Sequence, residues 1–243
     1  MGKSFDELTP SLSTFILKQA VFWVATAPLT ADGHVNLSPK GGEGMFHIVN
    51  PRQVWYEDLT GSGIETISHL RENRRITILF NAFEGPPRIV RLYGQGTVFE
   101  FGTPEYDNYV PGNSRSPGSR AVILIDVHRV STSCGFGVPF YDFKAHRTKM
   151  SNLGTMVEVF GLRQFWTTFN LKSIDGLTGL TTAPFASKKF QSTPKVSKPD
   201  KKKTETRFEV GRIDLVVAFS LGILLAALYV RLSQSQHSIL NLW

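Results

Sequence analysis

The chain has 243 residues, of which 41% are hydrophobic and 12% aromatic, enough for one domain with a substantial core plus an appendage. Its net charge of +7 is uneven, because residues 1–187 hold 17 Lys and Arg against 16 Asp and Glu, whereas residues 188–212 hold 9 against 3. The basic charge therefore belongs to one short segment, and a nucleic-acid-binding domain is not expected. The single cysteine, Cys134, excludes an intrachain disulfide, and the six scattered histidines lack the spacing of a zinc site.

The first predicted elements are a helix and several short strands. Thr9 and Pro10 open the segment TPSLSTFILKQ as N-cap and first helical residue, which predicts a helix. Strands are predicted over VFWVATA, HVNLSP, MFHIVN and QVWYEDL, because β-branched and aromatic residues alternate there with turns such as ADG and NPRQ.

The middle of the chain continues this pattern. A helix is predicted to begin near Ile64, and three more strands follow over RITILFNAF, RIVRLYGQGTVFEF and SRAVILIDVHRV. A short helix is predicted over TPEYDNYV, and the pattern from Tyr141 to Phe169 is helical. Six or seven strands with short helices among them predict a mainly β fold, a barrel with peripheral helices.

The end of the chain has a composition of its own. Residues 183–212 are rich in Lys, Ser, Thr and Pro, which predicts a flexible linker. Residues 213–232 include an uncharged apolar run over 215–230 and are long enough to cross a bilayer as one helix, with 233–243 as a short tail. A buried core helix is the alternative. The basic linker before the run predicts a tail-anchored membrane protein whose N-terminal domain faces the cytosol, with the organelle left open.

A turn with the sequence TGSG, Thr60–Gly63, joins a predicted strand to the helix that begins near Ile64. Glycines let backbone N–H groups converge, and the start of a helix favours an anion, so the turn is a candidate phosphate site. Hydroxyl groups of Thr60, Ser62 and Thr66 are available to such a ligand. The alternative is a capping box from Ser62 to Glu65, which needs no ligand.

Several polar and basic residues lie near other strand ends. The strand HVNLSP places Asn36 and Ser38 on one side, with Lys40 just beyond it. Arg88 and Arg91 open another strand. Each of these cations alone is typical of a solvated surface, but two or three of them beside the turn would suit a phosphorylated ligand.

The motifs together resemble a known family. In order along the chain they are HVNLSPKG, YEDLTGSGIETISHLRENRRITILF, FEGPPRIVRLYGQGTV, AVILIDVHRVSTSCGFGVP and KSIDGLTGL. They resemble the pyridoxamine 5′-phosphate oxidase-like flavoproteins, in a branch found in fungi and bacteria, and the resemblance covers residues 1–182. It implies a split β-barrel and a homodimer that binds FMN at the subunit interface.

The resemblance also implies site residues. The strand Val35–Lys40 matches the segment beside the flavin ring and ribityl chain, and the start of the second helix matches the phosphate site. The residues assigned to FMN are Val35, Asn36, Ser38, Lys40, Tyr56, Glu57, Ser62, Thr66 and Arg88, and Thr60 is added from the turn itself. Lys40 and Arg91 are the expected substrate contacts, and no catalytic base is identified.

One departure from the family pattern concerns charge. True pyridoxamine phosphate oxidases place an Arg-Lys pair at the phosphate, whereas this chain has Glu65 and Thr66, and their C-terminal substrate-binding arginine motif is missing. The sequence therefore predicts an FMN-dependent oxidoreductase, anchored to a membrane by its C-terminus, with an unidentified small-molecule substrate. The alternatives are a non-catalytic module that binds a flavin or haem at an organelle membrane, and a structural adaptor with an empty barrel.

Overall fold

The computed structural model describes residues 2–147, 152, 154–156 and 161–189, and every structural statement below concerns these residues. The strands are β1 (Lys3–Phe5), β2 (Val21–Thr26), β3 (Asn36–Gly41), β4 (Phe46–Asn50), β5 (Gln53–Leu59), β6 (Arg75–Asn81), β7 (Ile89–Glu100) and β8 (Ser119–Ser133). The helices are α1 (Pro10–Leu17), α2 (Glu65–Asn73), α3 (Pro104–Tyr109) and α4 (Leu162–Phe169), with 3-10 turns at Gly112–Ser114 and Ala183–Phe185.

The strands form one antiparallel sheet in the order β3-β2-β6-β7-β8-β5-β4, and β1 pairs with β8. The register shifts once between Tyr93 and Gly94 in the β7–β8 pair, and again between Asp58 and Leu59 in the β5–β8 pair. Such irregularities bend and twist a sheet, and here the sheet curls into a half-barrel. The prediction of a mainly β fold with peripheral helices is confirmed.

Helix α2 covers one part of the curled sheet. Ile67 and Leu70 of this helix are buried together with Ile78 and Leu92 from β6 and β7. The helix can approach closely because β7 has a glycine at position 96, where a Cβ atom would lie 2.7 Å from a methyl carbon of Leu70. This packing fixes the start of α2 beside the edge of the sheet formed by β2 and β3.

Two predicted helices form as the sequence indicates. Thr9 caps α1, its Oγ1 accepting from the N–H of Leu12 at 3.3 Å, and Pro10 is the first helical residue. Thr103 caps α3 in the same way, accepting from the N–H of Tyr106 at 3.3 Å. Both helices start where a hydroxyl side chain satisfies a free backbone donor.

The helix predicted from Tyr141 to Phe169 is wrong in its first part. Residues 141–147 are not helical, whereas residues 152 and 154–156 are helical and α4 begins at Leu162. The N–H of Tyr141 donates to the carbonyl of Phe83 at 3.1 Å, and that of Phe143 donates to the Glu84 carboxylate at 2.8 Å. These hydrogen bonds hold residues 141–147 against the connection between β6 and β7. They are tertiary contacts, and a helical pattern in the sequence does not reveal them.

The predicted membrane helix, 213–232, and the tail, 233–243, lie outside the described residues, as does most of the predicted linker. Among the residues that are described, no helix is long and apolar enough to cross a membrane. The first linker residues pack against the domain, and Ala183 is fully buried. The Glu100 carboxylate holds this segment, because it accepts from the N–H groups of Thr181, Thr182 and Ala183 at 2.8 Å each and also pairs with Arg71.

Candidate functional site

One face of the β2–β3 pair carries three of the predicted cofactor residues. Along β2 the residues Phe22, Val24 and Thr26 are buried, and they face Lys40, Ser38 and Asn36 of β3 in register. Residues directly opposite each other in an antiparallel pair point to the same side of the sheet. The alternation that the sequence predicts for β3 therefore places its three polar side chains on the buried side.

A hydrogen-bonded network links this face to helix α2. The side-chain amide of Asn36 donates to Thr26 Oγ1 at 3.1 Å and to Thr66 Oγ1 at 3.0 Å. Thr26 Oγ1 also lies 2.9 Å from Nδ1 of His69, which comes one turn after Thr66. The network joins two predicted residues, Asn36 and Thr66, through two residues that the sequence reasoning did not select.

His69 is buried within this network. Its Nδ1 shares a hydrogen bond with Thr26 Oγ1, in which either atom can be the donor, and its Nε2 is the other polar atom of the ring. Burial lowers the pKa of His69, against an opposing effect from nearby carboxylates, of which Asp175 is the largest. The lowered pKa favours the neutral form of His69.

Three buried polar atoms on this side have no hydrogen-bond partner among the described residues: Ser38 Oγ, Tyr56 Oη and His69 Nε2. Each of the three residues contacts or faces a different residue of β2. The Tyr56 ring packs edge-on to Phe22, with centroids 5.3 Å apart. Ser38 is opposite Val24, and His69 bonds Thr26. Buried polar groups without partners are uncommon and destabilising. Their alignment marks this face as a candidate ligand site.

A buried ion cluster lies beside these atoms. The Asp58 carboxylate accepts from Lys40 Nζ at 3.0 Å and from Arg120 Nε at 2.8 Å, and the Asp58 side chain is fully buried. Burial raises the pKa of Asp58, but the two cations outweigh it and lower the pKa to about 2. Lys40, which the sequence predicts as a contact for cofactor and substrate, is thus part of an ion pair, with 20% of its side chain exposed.

Arg120 connects the cluster to the TGSG turn. Its guanidinium donates to the carbonyls of Gly61 at 3.2 Å and Gly63 at 2.9 Å, and to Asn170 Oδ1 at 3.0 Å. The sequence reasoning missed Arg120, Asp58 and Asn170. The local signal for Arg120 is a lone arginine beside the apolar run AVILI, and a buried arginine needs an acidic partner that only the fold supplies.

The turn itself is held by protein contacts. Thr60 Oγ1 donates to the Gly118 carbonyl at 2.6 Å and accepts from the Trp166 indole N–H at 2.9 Å. Ser62 is exposed, and α2 begins at Glu65 with Ile64 as its N-cap, without a side-chain capping hydrogen bond. The predicted capping box is therefore wrong, because the helix starts later than Ser62 could cap it.

Two carboxylates lie at the start of α2 and of β3. Glu65 Oε1 accepts from the N–H of Ile174 at 3.4 Å. Asp175 accepts from the backbone N–H of His34 at 2.8 Å and contacts His34 Nδ1 at 2.6 Å. The hydrogen bond and charge of Asp175 raise the pKa of His34, and the same pairing lowers the pKa of Asp175.

The remaining predicted residues lie elsewhere. Val35 precedes β3 and is exposed, and the Glu57 carboxylate accepts from the N–H and hydroxyl of Ser116 at 3.0 Å each. Arg88 is exposed and lies over the Phe15 ring at 5.3 Å. Arg91 alternates with the buried residues of β7 and bonds Ser133, so it points to the opposite side of the sheet from Lys40. The structure does not bring the predicted cations together at the turn.

The fit of FMN differs between its two ends. The face with Ser38, Tyr56 and His69 offers unpaired neutral groups that suit the polar edge of a flavin ring. At the start of α2, by contrast, the described residues present the Glu65 carboxylate, and Lys40 and Arg120 are both paired with Asp58. The ring end has unpaired neutral groups, whereas at the phosphate end Lys40 and Arg120 are engaged by Asp58.

Comparison with known proteins identifies the family. The sequence profile described as Pyridoxamine 5′-phosphate oxidase matches residues 8–134. The Pyridoxamine 5′-phosphate oxidase family protein ustO of Aspergillus flavus is 40% identical over 195 residues, which cover 74% of this chain and 78% of the relative. The chain therefore belongs to the pyridoxamine 5′-phosphate oxidase family, as its motifs predict.

Similar solved structures are more distant. HupZ of Group A Streptococcus is 23% identical with a TM-score of 0.40, covering 51% of this chain and 91% of that one. An FMN-binding protein from Syntrophomonas wolfei is 10% identical with a TM-score of 0.35, covering 47% of this chain and 79% of that one. A likeness at this level identifies no ligand or activity for this chain.

Proposed function

We propose that this chain is a flavin-dependent oxidoreductase whose cofactor ring lies on the buried face of β2 and β3. Family membership supports a flavin, and the observation that carries the proposal is the row of unpaired buried atoms at Ser38, Tyr56 and His69. A ligand with hydrogen-bonding atoms along one edge, such as an isoalloxazine ring, would satisfy groups that otherwise destabilise the fold.

When bound, the flavin supplies the hydride and electron transfer, and the chain supplies position and electrostatics. Burial raises the pKa of Tyr56 well above its ordinary value, with a further contribution from Asp58, so its hydroxyl stays protonated. Tyr56 is therefore a neutral donor at neutral pH. His69 Nε2 is the unpaired polar atom at the other end of the row.

Lys40 is the proposed substrate contact. Its ammonium group is held at the buried face by Asp58, yet part of the side chain is accessible from solvent. A negatively charged substrate group would approach the exposed part of this side chain, in competition with Asp58 for the ammonium group. Arg91 points to the outer side of the sheet and would meet a substrate only from there.

The chain is further proposed to act as a homodimer. Val35 is 75% exposed and Leu37 65% exposed, and both lie at the edge strand β3, next to the proposed site. Exposed apolar residues on an edge strand favour association with another chain. Light scattering of the purified protein tests this, and a monomer at micromolar concentration would contradict it.

Membrane anchoring through residues 213–232 is also a proposal, supported by the uncharged apolar run at 215–230. A fluorescent protein fused to residues 183–243 is expected to decorate an organelle membrane. Diffuse cytosolic fluorescence would contradict the anchor and leave the flavin proposal untouched.

Anaerobic reduction of the flavin-loaded protein tests the catalytic part of the proposal. We expect NADH, NADPH or a substrate pool to bleach the flavin absorbance at a rate above that of free flavin, and air to restore it. Lys40→Met is expected to slow the bleaching by a charged reductant while the flavin stays bound. A loaded protein that bleaches no faster than free flavin would instead favour the non-catalytic flavin-binding module.

A further inference from the structure

The geometry points to a site for a flavin without a phosphate group. We propose that the chain binds riboflavin, or a similarly neutral ring, in preference to FMN, because the Glu65 and Asp175 carboxylates lie at the start of α2 and of β3. This inference rests on the proposed function and narrows its ligand.

Glu65 is the first residue of α2, where the free N–H groups of a helix attract an anion. One of its oxygens accepts from the N–H of Ile174, and the other folds back over the turn, since a Cβ atom at Gly63 would lie 2.5 Å from it. Ile64 provides no capping side chain. The helix start therefore already has an anion, supplied by the chain itself.

Asp175 supplies a second carboxylate, at the start of β3. Its two oxygens contact the backbone N–H and the ring Nδ1 of His34, two residues before Asn36. The pairing with His34 lowers the pKa of Asp175, which is therefore ionised at neutral pH. Asp175 and Glu65 both raise the pKa of His69, which shows that all three groups share one electrostatic environment.

Three basic side chains of the described domain are bound to acids of the chain. Arg71 pairs with Glu100, and Lys40 and Arg120 both pair with Asp58. A phosphate dianion at the start of α2 would meet the Glu65 carboxylate and the Asp175 carboxylate, the second of which is paired with His34, and it would compete with Asp58 for Lys40 and Arg120. Both effects disfavour it strongly when the site is partly shielded from water.

The inner surface of the same site is neutral and lacks partners. His69 is fully buried, its Nδ1 bonds Thr26, and its Nε2 has no partner among the described residues. Ser38 Oγ and Tyr56 Oη are also buried and have no hydrogen-bond partner among the described residues. A neutral ring with carbonyl and ring-nitrogen acceptors would satisfy these groups, and a ribityl chain offers hydroxyls without charge.

Equilibrium titration of the ligand-free full-length protein with riboflavin and with FMN, followed by flavin fluorescence, tests the inference. We expect riboflavin to bind about tenfold or more tightly than FMN at low salt, with the ratio falling as salt screens the carboxylates. Glu65→Gln, Asp175→Asn and the double variant are expected to tighten FMN and leave riboflavin nearly unchanged. Glu105→Gln, an exposed acid on α3, is the control with the same loss of charge.

The possible results distinguish the preference for riboflavin over FMN from the proposal that the chain binds a flavin. Riboflavin affinity that survives in the double variant shows that the variant is folded, so its FMN affinity can be interpreted. FMN binding as tight as riboflavin in the unchanged chain, or no gain of FMN affinity in the double variant, would overturn the inference and leave the flavin proposal standing. Failure to bind either flavin would overturn both.

Discussion

The Asp58 carboxylate joins Lys40 and Arg120, at 3.0 Å and 2.8 Å, and so connects the edge strand β3 to β8 through β5. The second cation also holds the carbonyls of Gly61 and Gly63. One buried acid therefore fixes both the face that carries Ser38 and the turn that leads into α2.

Replacing Asp58 by Asn should lower the free energy of unfolding by about 3–5 kcal/mol, because Arg120 would remain buried without its counter-ion. Urea unfolding followed by circular dichroism measures this. Asp126→Asn is the matched control, since Asp126 is half exposed, and its effect should stay within about 0.5 kcal/mol. Equal effects of the two substitutions would contradict the account of the cluster.

The lowered pKa of Asp58 predicts that the folded protein loses stability in acid. The pKa of Asp58 falls from 3.8 to about 2 on folding, so its contribution is complete above pH 4 and is lost as the pH falls from 4 towards 2. The loss from this one group is about 2 kcal/mol at the acid end. Unfolding midpoints measured across this range should fall less steeply in Asp58→Asn, and parallel curves would contradict the assignment.

Tyr56→Phe should separate stability from binding. Removing a buried hydroxyl that lacks a protein partner should leave the free energy of unfolding of the ligand-free protein unchanged or raise it by up to about 1 kcal/mol. Riboflavin affinity should fall by about three- to tenfold, the effect of one lost hydrogen bond. A variant that is less stable without ligand but binds normally would mean that this hydroxyl is not part of the site.

Glu100→Gln should loosen the segment that follows residue 180. The carboxylate accepts from three successive backbone N–H groups and pairs with Arg71, so its loss should cost about 2–3 kcal/mol. Hydrogen exchange of the Thr181, Thr182 and Ala183 amides should accelerate, whereas Glu105→Gln should leave it unchanged. Unaltered protection of these three amides would contradict the role of Glu100.

The sequence predicts most of the fold because its strands and capped helices have local signals. Thr9 before Pro10 defines the start of α1, and the alternation of β3 puts Asn36, Ser38 and Lys40 on one side. The segment around Tyr141 departs from prediction because its bonds to Phe83 and Glu84 are tertiary contacts, which helical periodicity does not encode.

The candidate site was only partly accessible from the sequence. The sequence predicts Asn36 and Thr66 as cofactor residues. Their connection through Thr26 and His69 depends on the packing of α2 against β2. Asp58 and Arg120 are 62 residues apart, and no spacing rule relates them. Position in sequence does not determine the direction of Arg91 or the pairing of Lys40, because both are set by sheet register.

The central claim, that the face of β2 and β3 binds a flavin, is tested most directly by the chromophore of the purified full-length protein. An absorption spectrum from the near ultraviolet to the visible should show bound flavin, or flavin taken up on addition, at about one per chain. Mass spectrometry of the released compound should identify riboflavin or FMN, and Tyr56→Phe should hold it less tightly. A colourless protein that takes up neither compound would contradict the claim.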